Sequence, residues 1–422
     1  MHQPRSPMTV SIEDIERARE RLDRSTDIRQ TPVEESSTLG RVVDADVWFK
    51  FEHLQKTGSF KPRGAFNKIS QVVQGDATRV VAASAGNHAQ GVAFAATELG
   101  LESLIVMPEN APQAKVDATE GYGATVELTG KTFAEAMDAA KSYADDPDTE
   151  FVHAYDDPAV VAGQGTIGLE LIEQVPDVSV LTVPIGGGGL IGGIATAVKS
   201  YDESIRVVGV QAESAATVPQ SLNTGHPVEN KTPDTIADGI ATGGISDITF
   251  EIIQNHVDDV VTVTDTEIAQ ATLWLLERTK QMVEGAAATS LAPLLSGAID
   301  CQGETVVPLL CGGNIDIATL QDMLTRALVD RRQFVTLYVR IDDHPGVLGE
   351  IADIIGRHDT NIRSVRHDRS EEGLPVGKAD LVIRTTTPGE VAMGQAISDI
   401  KEAGYTIKRV VPTSKAVGTH DT

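Results

Sequence analysis

The amino-acid sequence predicts an α/β protein with two lobes, each built on a doubly wound sheet, followed by a small α+β module. Over most of the chain, short strand-like runs alternate with helical stretches, which is typical of parallel sheets covered by helices. Near the C-terminus the order changes to strand, helix, strand, strand, helix, strand, which predicts a ferredoxin-like fold. A chain of 422 residues is long enough for two to four domains.

These patterns divide the chain into four parts. The two-lobed region is expected at 1–328, with its smaller lobe at about 50–155 and its larger lobe formed by the remainder. A linker follows at 329–333, the ferredoxin-like module at 334–413, and a tail at 414–422. We therefore expect two lobes that share a cleft, and a separate small domain after them.

In the two-lobed region, strands are predicted from short apolar runs bounded by glycine, proline or polar residues. These runs are 79–83, 103–107, 125–128, 178–185, 207–211, 259–263 and 305–310. Helices are predicted where apolar residues recur with helical spacing or alanine is abundant, at 12–24, 91–99, 114–119 and 132–144. The alternation of the two types favours parallel strands.

In the C-terminal module the same reasoning predicts four strands and two helices. The strands are expected at 333–340, 362–367, 379–384 and 405–411, and the helices at 347–357 and 389–403. Pro388 stands just ahead of the second helix, where its missing N–H does no harm.

Composition excludes several classes of protein. The chain has 35 lysine and arginine residues against 61 aspartate and glutamate residues, a formal net charge of −26. Nucleic-acid phosphates need basic partners, so this balance argues against a nucleic-acid-binding protein. An acidic, lysine-poor surface is typical of salt-adapted proteins, and an ordinary acidic protein explains it equally well.

Cysteine content and hydropathy predict the cellular compartment, and we expect the cytoplasm. Only Cys301 and Cys311 occur, which argues against a disulfide scaffold and a cysteine-rich metal site. No apolar run is long enough to cross a bilayer, and residues 1–11 lack the apolar core of a secretory signal. We therefore expect no membrane partner.

Four short motifs carry residues with chemistry of their own. Lys61 lies in TGSFKPRG, and an apolar turn lowers the pKa of a lysine amine and makes it a nucleophile. The polar stretch SAGNH follows at 84–88, four glycines follow a predicted strand at 186–189, and CGGN follows another at 311–314. Successive glycines offer backbone N–H groups to a phosphate, although a flexible turn is the alternative. Together these are the parts needed to hold pyridoxal 5′-phosphate.

A further glycine motif, at 163–168, matches the G-x-G-x-x-G spacing of dinucleotide-binding proteins. The residues before it, 156–158, are not strand-like, and no acidic residue stands about 20 positions further on to bind a ribose. We therefore reject a nicotinamide cofactor and expect these glycines to allow close helix packing.

The motifs QKTGSFKPRGA, ASAGNHAQG, PIGGGGLIGG and LCGGN, in this order, resemble those of fold-type II (tryptophan synthase β-like) enzymes that use pyridoxal 5′-phosphate. Over residues 12–326 the chain resembles the threonine and serine dehydratase branch. The resemblance implies that Lys61 forms the internal aldimine and acts as general base. The other cofactor-binding residues that it implies are Phe60, Asn87, Gly186, Gly187, Gly188, Gly189, Gly239, Glu284 and Cys311. The loop over the substrate carboxylate would contain Ser84, Gly86, Asn87 and His88.

Cys311 takes the place that faces the pyridine nitrogen, where this branch commonly has serine. A thiol is neutral, unlike the aspartate of many other enzymes with this cofactor, and a neutral partner favours β-elimination over transamination. A buried structural cysteine is the alternative.

The resemblance implies dehydration and deamination of L-threonine to 2-oxobutanoate and ammonia, and of L-serine to pyruvate, feeding isoleucine biosynthesis. A dehydratase for serine or threo-3-hydroxyaspartate, a serine racemase and a catalytically silent amino-acid sensor are the alternatives. Serine racemases have a second acid–base serine where this chain has Ala85, which disfavours racemisation. Some members bind a cation through a glutamate and a nearby aspartate. Glu213 matches the glutamate, but the second carboxylate is missing, so we expect no metal site.

The stretch DHPGVL at 343–348 resembles the ACT domains that bind amino acids. The resemblance implies a regulatory ligand site at Asp343, Gly346, Val347 and Leu348, for an effector such as isoleucine or valine. A plain ferredoxin-like dimerisation module is the alternative. Because ACT domains act in pairs, both interpretations imply a homo-oligomer.

Overall fold

The computed structural model describes residues 10–230, 232–369 and 374–412, and the chain divides into two compact units at Ile315/Asp316. The strands are β1 (Val33–Glu35), β2 (Asp46–Lys50), β3 (Arg79–Ala83), β4 (Glu102–Met107), β5 (Thr125–Leu128), β6 (Thr149–Phe151), β7 (Val180–Pro184), β8 (Arg206–Ala212), β9 (Asp259–Val263), β10 (Thr305–Pro308), β11 (Phe334–Asp342), β12 (Asn361–Asp368), β13 (Lys378–Thr386) and β14 (Thr406–Pro412).

The helices have the following bounds. They are α1 (Ile12–Leu22), α2 (Ser37–Val43), α3 (Lys61–Val72), α4 (Asn87–Leu99), α5 (Gln113–Glu120), α6 (Phe133–Tyr143), α7 (Pro158–Gln174), α8 (Gly189–Tyr201), α9 (Val218–Thr224), α10 (Asp247–His256), α11 (Asp265–Arg278), α12 (Gly285–Ala288), α13 (Ala292–Ser296), α14 (Ile317–Asp330), α15 (Val347–Gly356) and α16 (Glu390–Glu402).

The first unit contains two sheets, and both are essentially parallel. The larger has the strand order β1-β2-β10-β7-β8-β9, in which only β1 runs antiparallel to its neighbour. The smaller, β5-β4-β3-β6, is parallel throughout. Every residue of β7 is buried, as expected for a central strand covered on both faces. The predicted two-lobed α/β class is therefore confirmed.

The glycines at 163–168 lie inside helix α7, where they allow neighbouring elements to approach closely. A Cβ at Gly163 would lie 2.6 Å from the carbonyl oxygen of Arg63, and one at Gly168 would lie 2.7 Å from Ala197. The expectation of close helix packing is confirmed.

Helix α4 begins at Asn87, four residues earlier than the predicted start at 91. Gly86 precedes the first helical residue, so the helix grows directly out of the polar motif. As a result Asn87 and His88, which we expected in a loop, occupy the first turn of a helix.

The second unit contains an antiparallel sheet of order β12-β13-β11-β14, with α15 and α16 in the connections expected for a ferredoxin-like fold. Alternate residues of β11, such as Leu337 and Val339, pack with Ile351, Ile355 and other apolar side chains in one core. The ferredoxin-like prediction is confirmed. The unit also includes α14, so the boundaries 1–328, 329–333 and 334–413 stay predictions. The tail at 414–422 lies outside the described residues.

Within the described part of the chain, no helix combines the length and the apolar character needed to cross a membrane.

Candidate active site

A cavity of about 400 Å³ lies at the carboxyl ends of parallel strands, where ligands bind in open α/β sheets. Its walls include residues at or just after the ends of β3, β6, β7 and β10. The structure places every residue predicted for the cofactor and for the substrate carboxylate in its lining. These residues are Phe60, Lys61, Ser84, Gly86, Asn87, His88, Gly186, Gly187, Gly188, Gly189, Gly239, Glu284 and Cys311.

Lys61 is the first residue of α3, and its amine points into this cavity. The preceding segment is held by the CGGN motif, because the backbone N–H of Phe60 donates to the carbonyl of Cys311 at 3.2 Å. The Nζ atom lies 3.3 Å from the carbonyl oxygen of Ala154 and 5.0 Å from the centre of the Phe60 ring. Burial lowers the pKa of the Lys61 amine to about 8, although the charge of Glu284 opposes the shift. About a tenth of this amine is therefore unprotonated at pH 7, far more than for a lysine with the ordinary pKa of 10.5.

A chain of hydrogen bonds fixes the amide of Asn87. Its Nδ2 lies 3.0 Å from both carboxyl oxygens of Glu284, and its Oδ1 accepts from Asn314 Nδ2 at 2.8 Å. Asn314 Nδ2 also donates to the carbonyl of Thr57 at 2.6 Å. Burial raises the pKa of Glu284 to about 7, although the bond from Asn87 opposes the shift. Glu284 thus exchanges a proton within the neutral range.

The polar motif at 84–88 presents a helix N-terminus to the cavity. The backbone N–H of Gly86 donates to Ser84 Oγ at 3.1 Å, and α4 starts at the next residue. First-turn N–H groups lack partners within their own helix, so they can bind a carboxylate. His88 is buried, and its Nε2 lies 2.9 Å from the carbonyl of Val152. Burial and the nearby charge of Lys61 lower the pKa of His88 to about 3, so this ring stays neutral.

The four glycines connect β7 to α8 and leave no room for side chains. A Cβ at Gly187 would lie 2.2 Å from the ring of Tyr155, and Gly188 has a left-handed backbone with φ of 87°. The carbonyl of Gly187 accepts from Thr249 Oγ1 at 2.8 Å, which anchors the loop. The N-terminus of α8 adds free N–H groups and the positive end of its dipole. This arrangement can bind a phosphate.

Cys311 is buried in the cavity wall, and burial raises the pKa of its thiol well above the usual value. The thiol therefore stays protonated and neutral. The adjacent Gly312 leaves space for Glu284, since a Cβ there would lie 2.3 Å from Glu284 Oε1. Gly239 approaches the same carboxyl group from another loop, where a Cβ would lie 3.5 Å from that oxygen.

Sequence reasoning missed two residues of this cavity region. The ring of Tyr155 packs on the glycine loop, and Asn314 orients Asn87 through the hydrogen bond described above. Asn314 closes the CGGN motif, which was the signal that could have identified it. For Tyr155 the sequence held no such signal, because the short strand β6 that precedes it was not predicted.

Glu213, the weak cation candidate, is exposed and starts a short 3-10 turn at Glu213–Ala215. Among residues 10–230, 232–369 and 374–412, no group of three or more histidine, cysteine, aspartate or glutamate side chains is placed to hold a metal ion.

The four residues predicted for a regulatory ligand do not gather around one cavity in the second unit. Gly346, with φ of 99°, precedes α15 and lines an open groove along α15 and α16. Asp343 pairs with Arg369 at 2.6 Å. Val347 is buried in the core, whereas Leu348 is 36% exposed.

Comparison with known proteins assigns both units. A family model described as pyridoxal-phosphate dependent enzyme matches residues 24–312. A model described as ACT domain matches residues 335–404. The chain is 44% identical over 403 residues to an L-threonine ammonia-lyase of Geobacter sulfurreducens, covering 95% of this chain and 98% of that protein. The chain belongs to the threonine ammonia-lyase family of pyridoxal-phosphate dependent enzymes.

Solved structures agree on the fold of the first unit. Threonine deaminase isoform 2 of Solanum lycopersicum, in its processed form, is similar with a TM-score of 0.71 and 32% identity, over 76% of this chain and 96% of that chain. Maize serine racemase is similar with a TM-score of 0.71 and 33% identity, over 77% and 99%. The predicted fold type II and the dependence on pyridoxal 5′-phosphate are confirmed. Because both activities share this fold, the residues in the cavity must distinguish them.

The residues present fit this cofactor. The glycine loop, residues 186–189, lines the cavity, and a Cβ at Gly187 would collide with the ring of Tyr155 at 2.2 Å, so the backbone itself faces a ligand here. The Lys61 amine, with its lowered pKa, lies in the same cavity and can bond to an aldehyde. The neutral thiol of Cys311 can face a ring nitrogen without adding charge.

Proposed function

We propose that the protein deaminates L-threonine to 2-oxobutanoate and ammonia, and L-serine to pyruvate. The observation that carries this proposal is the convergence of the Lys61 amine, the N-terminus of α4 and the glycine loop on one cavity. The 44% identity with an L-threonine ammonia-lyase over 95% of the chain supports threonine as the substrate.

In this proposal each wall of the cavity binds one part of the cofactor. Pyridoxal 5′-phosphate, when bound, withdraws electrons from the substrate Cα and makes its proton acidic. Lys61 would hold the cofactor through Nζ, with Phe60 against its ring. The backbone of 186–189 would bind the phosphate, and Asn87 would donate its remaining Nδ2 hydrogen to the ring hydroxyl. Gly239 would leave space beside the ring.

Two neutralised groups would keep the site uncharged around the ring. Cys311 would face the ring nitrogen as a protonated thiol, because burial raises its pKa well above the usual value. A partner without negative charge leaves the nitrogen less readily protonated, which favours elimination of the β-hydroxyl over transamination. Glu284, whose pKa burial raises to about 7, would hold a proton beside Asn87 below that pH.

The substrate steps follow from the positions of the side chains. The substrate carboxylate would bind to Ser84 and to the first N–H groups of α4. The Nζ of Lys61 would take the Cα proton, and the β-hydroxyl would gain one proton and leave as water, so that the net change at this stage is the loss of one water molecule. The product then hydrolyses to the 2-oxo acid and ammonia. The methyl group of Ala85, which also lines the cavity, cannot return a proton to the other face of Cα, so deamination is favoured over racemisation.

The test is an assay of the purified protein with the cofactor, using L-threonine, L-serine, D-serine and threo-3-hydroxyaspartate. We expect 2-oxobutanoate and ammonia in equal amounts from L-threonine, and no activity in Lys61→Ala. Interconversion of the serine enantiomers would replace the proposal with a racemase, and preference for hydroxyaspartate would replace the substrate. If the folded protein binds no cofactor, the catalytic proposal fails, and the remaining alternative is a catalytically silent amino-acid sensor.

We propose further that the ACT domain makes the enzyme respond to an amino-acid end product such as isoleucine or valine, in a homo-oligomer that serves isoleucine biosynthesis. The proposed site lies at Gly346 and the N-terminus of α15. Asp343, Val347 and Leu348 are its neighbours in the sequence, although the four residues do not line one cavity. The test compares the intact chain with one lacking residues 333–422. We expect isoleucine to change the activity of the first and not of the second. An undiminished response after truncation would refute regulation through this domain.

The cytoplasmic location also stays a proposal. Both cysteines are buried and free, which fits a reducing compartment. Fractionation of the source cells, with antibody detection of the chain, would test it.

A further inference from the structure

Four charged side chains are buried together beside the segment that carries Lys61, and none of them lines the cavity. Lys50 and Glu52 are 0% exposed, Arg63 is 1% exposed and Glu170 is 7% exposed. Two positive and two negative charges leave the group neutral. We call these four residues the buried charge cluster.

Within and around the cluster, the side-chain N–H groups of Lys50 and Arg63 have hydrogen-bond acceptors. Arg63 binds Glu52 through two parallel bonds, Nε to Oε2 at 2.9 Å and Nη2 to Oε1 at 2.8 Å. The same guanidinium reaches both oxygens of Glu170, at 2.5 and 3.0 Å, and the hydroxyl of Thr166 at 3.2 Å. The three hydrogens of Lys50 Nζ face Glu170, the carbonyl of Thr31 and Gln174, at 2.6 to 2.8 Å.

Stability alone does not account for such a cluster. Buried ion pairs lose about as much in desolvation as they gain in attraction, so apolar side chains of the same volume are often as stable or more so. What a forked arginine–carboxylate pair adds is a defined geometry, because both partners are planar and meet through two bonds. The relevant question is therefore which part of the chain this geometry holds.

The Glu52–Arg63 pair closes the segment that contains Lys61. Glu52 stands just after β2, and Arg63 lies in the first turn of α3, two residues beyond Lys61. Residues two apart on an α-helix point to nearly opposite sides, since each residue advances about 100°. Holding Arg63 on the side away from the cavity therefore directs Lys61 into it.

Close backbone packing leaves this first turn little freedom to move. A Cβ at Gly91 of α4 would lie 3.0 Å from the backbone carbon of Lys61, and one at Gly163 of α7 would lie 2.6 Å from the carbonyl oxygen of Arg63. The first turn of α3 thus packs closely against both α4 and α7. The Glu52–Arg63 pair then fixes how this turn is rotated about the helix axis.

We propose that Glu52 and Arg63 are positioning residues, which act through the backbone of the segment 52–63 to set the direction in which Lys61 enters the cavity. This inference rests on the proposed role of Lys61. It assigns a use in the reaction to two buried charges that touch neither cofactor nor substrate.

The test compares three variants of the full-length chain. Glu52→Gln and Arg63→Lys each break the fork, and the second keeps the positive charge. Lys50→Met is the matched control, because it removes a charge from the same cluster and leaves both bonds of the Glu52–Arg63 fork in place. Each is measured for its thermal unfolding midpoint, for kcat and KM, and for the rate at which the cofactor-free chain takes up pyridoxal 5′-phosphate at several pH values.

We expect Glu52→Gln and Arg63→Lys to lower kcat per bound cofactor by about 10- to 100-fold with little change in KM, as a displacement of about 1 Å would. The pH midpoint of cofactor uptake should move up, because a displaced amine meets water and its pKa returns toward the ordinary value of 10.5. Lys50→Met should lose comparable thermal stability. Its kcat should stay within about threefold of the wild-type value, and its pH midpoint of cofactor uptake should stay within about a few tenths of a pH unit.

Equal effects of all three variants on kcat would show that the cluster is structural and would overturn the proposal. If Glu52→Gln does not fold, the kcat and the pH midpoint of Arg63→Lys test the proposal. If neither variant folds, Glu52 and Arg63 have a structural role only, and the proposal is overturned. Lys61→Ala is measured alongside. Its activity would refute the proposed function, whereas an inactive Lys61→Ala with normal Glu52→Gln and Arg63→Lys would refute the positioning role alone.

Discussion

The carboxyl group of Glu284 should make the stability of the cofactor-free protein depend on pH in a way that one substitution removes. Glu284 is 6% exposed, and burial raises its pKa from an ordinary 4.5 to about 7. Because the folded-state pKa is the higher one, the favourable contribution is complete below pH 4.5 and is lost as pH rises to about 7. One pKa unit corresponds to about 1.36 kcal/mol, so the loss amounts to about 3 kcal/mol.

Glu284→Gln replaces the carboxyl with a neutral group of the same shape that can still accept the hydrogen bond from Asn87. The free energy of unfolding is measured in urea at pH 4.5 and pH 8, for the cofactor-free wild type and variant. We compare the difference in the free energy of unfolding, variant minus wild type, at the two pH values. This difference should be about 3 kcal/mol larger at pH 8 than at pH 4.5.

Glu16→Gln, on the exposed face of α1, is the control, because it removes one carboxyl group that is not buried. A pH-independent difference for Glu284→Gln would refute the reasoning, since it would mean that the pKa of this carboxyl group is the same in the folded and the unfolded chain.

Three further predictions concern the cavity. Gly187→Ala should weaken cofactor binding by about 10- to 100-fold, because its Cβ would meet the ring of Tyr155 at 2.2 Å, as a fluorescence titration would show. Gly394→Ala, whose Cβ would meet nothing within 4 Å, should bind normally, and equal binding by both would contradict the cradle. The rate of cofactor uptake should rise with pH and be half-maximal near 8, since the unprotonated Lys61 amine reacts, and a midpoint near 10.5 in stopped-flow absorbance would exclude the lowered pKa. Ala85→Ser should gain measurable serine racemisation by chiral chromatography, and unchanged stereochemistry would show that this position does not decide the reaction.

Much of the fold could be predicted because its strands and helices produce local patterns of apolar and polar residues. The buried strand β7 is mostly apolar, with Thr182 as its polar member, and the second half of β11 alternates between buried and less buried residues, so composition and period identify both strands. The start of α4 was predicted too late, since Asn87 and His88 are polar and the helical period becomes visible only at Gly91. The contribution of the preceding Gly86 depends on where β3 ends, which a local pattern does not specify closely.

The candidate site divides in the same way. Lys61, Asn87 and the four glycines belong to compact motifs, and it was the resemblance of these motifs to those of a known enzyme family that predicted their common site. Tyr155 was missed because its importance comes from touching Gly187, a residue far away in the chain.

By itself, the sequence determined the α/β class, the C-terminal ferredoxin-like module and the cofactor chemistry. These depend on short-range periodicity and on residue types with few alternative uses. Only the tertiary structure decided that burial raises the pKa of Glu284 to about 7, that His88 stays neutral and that Arg63 pairs with Glu52. Desolvation and ion pairing depend on which distant residues exclude water from a side chain. Those neighbours are fixed by tertiary packing and cannot be identified from local sequence patterns.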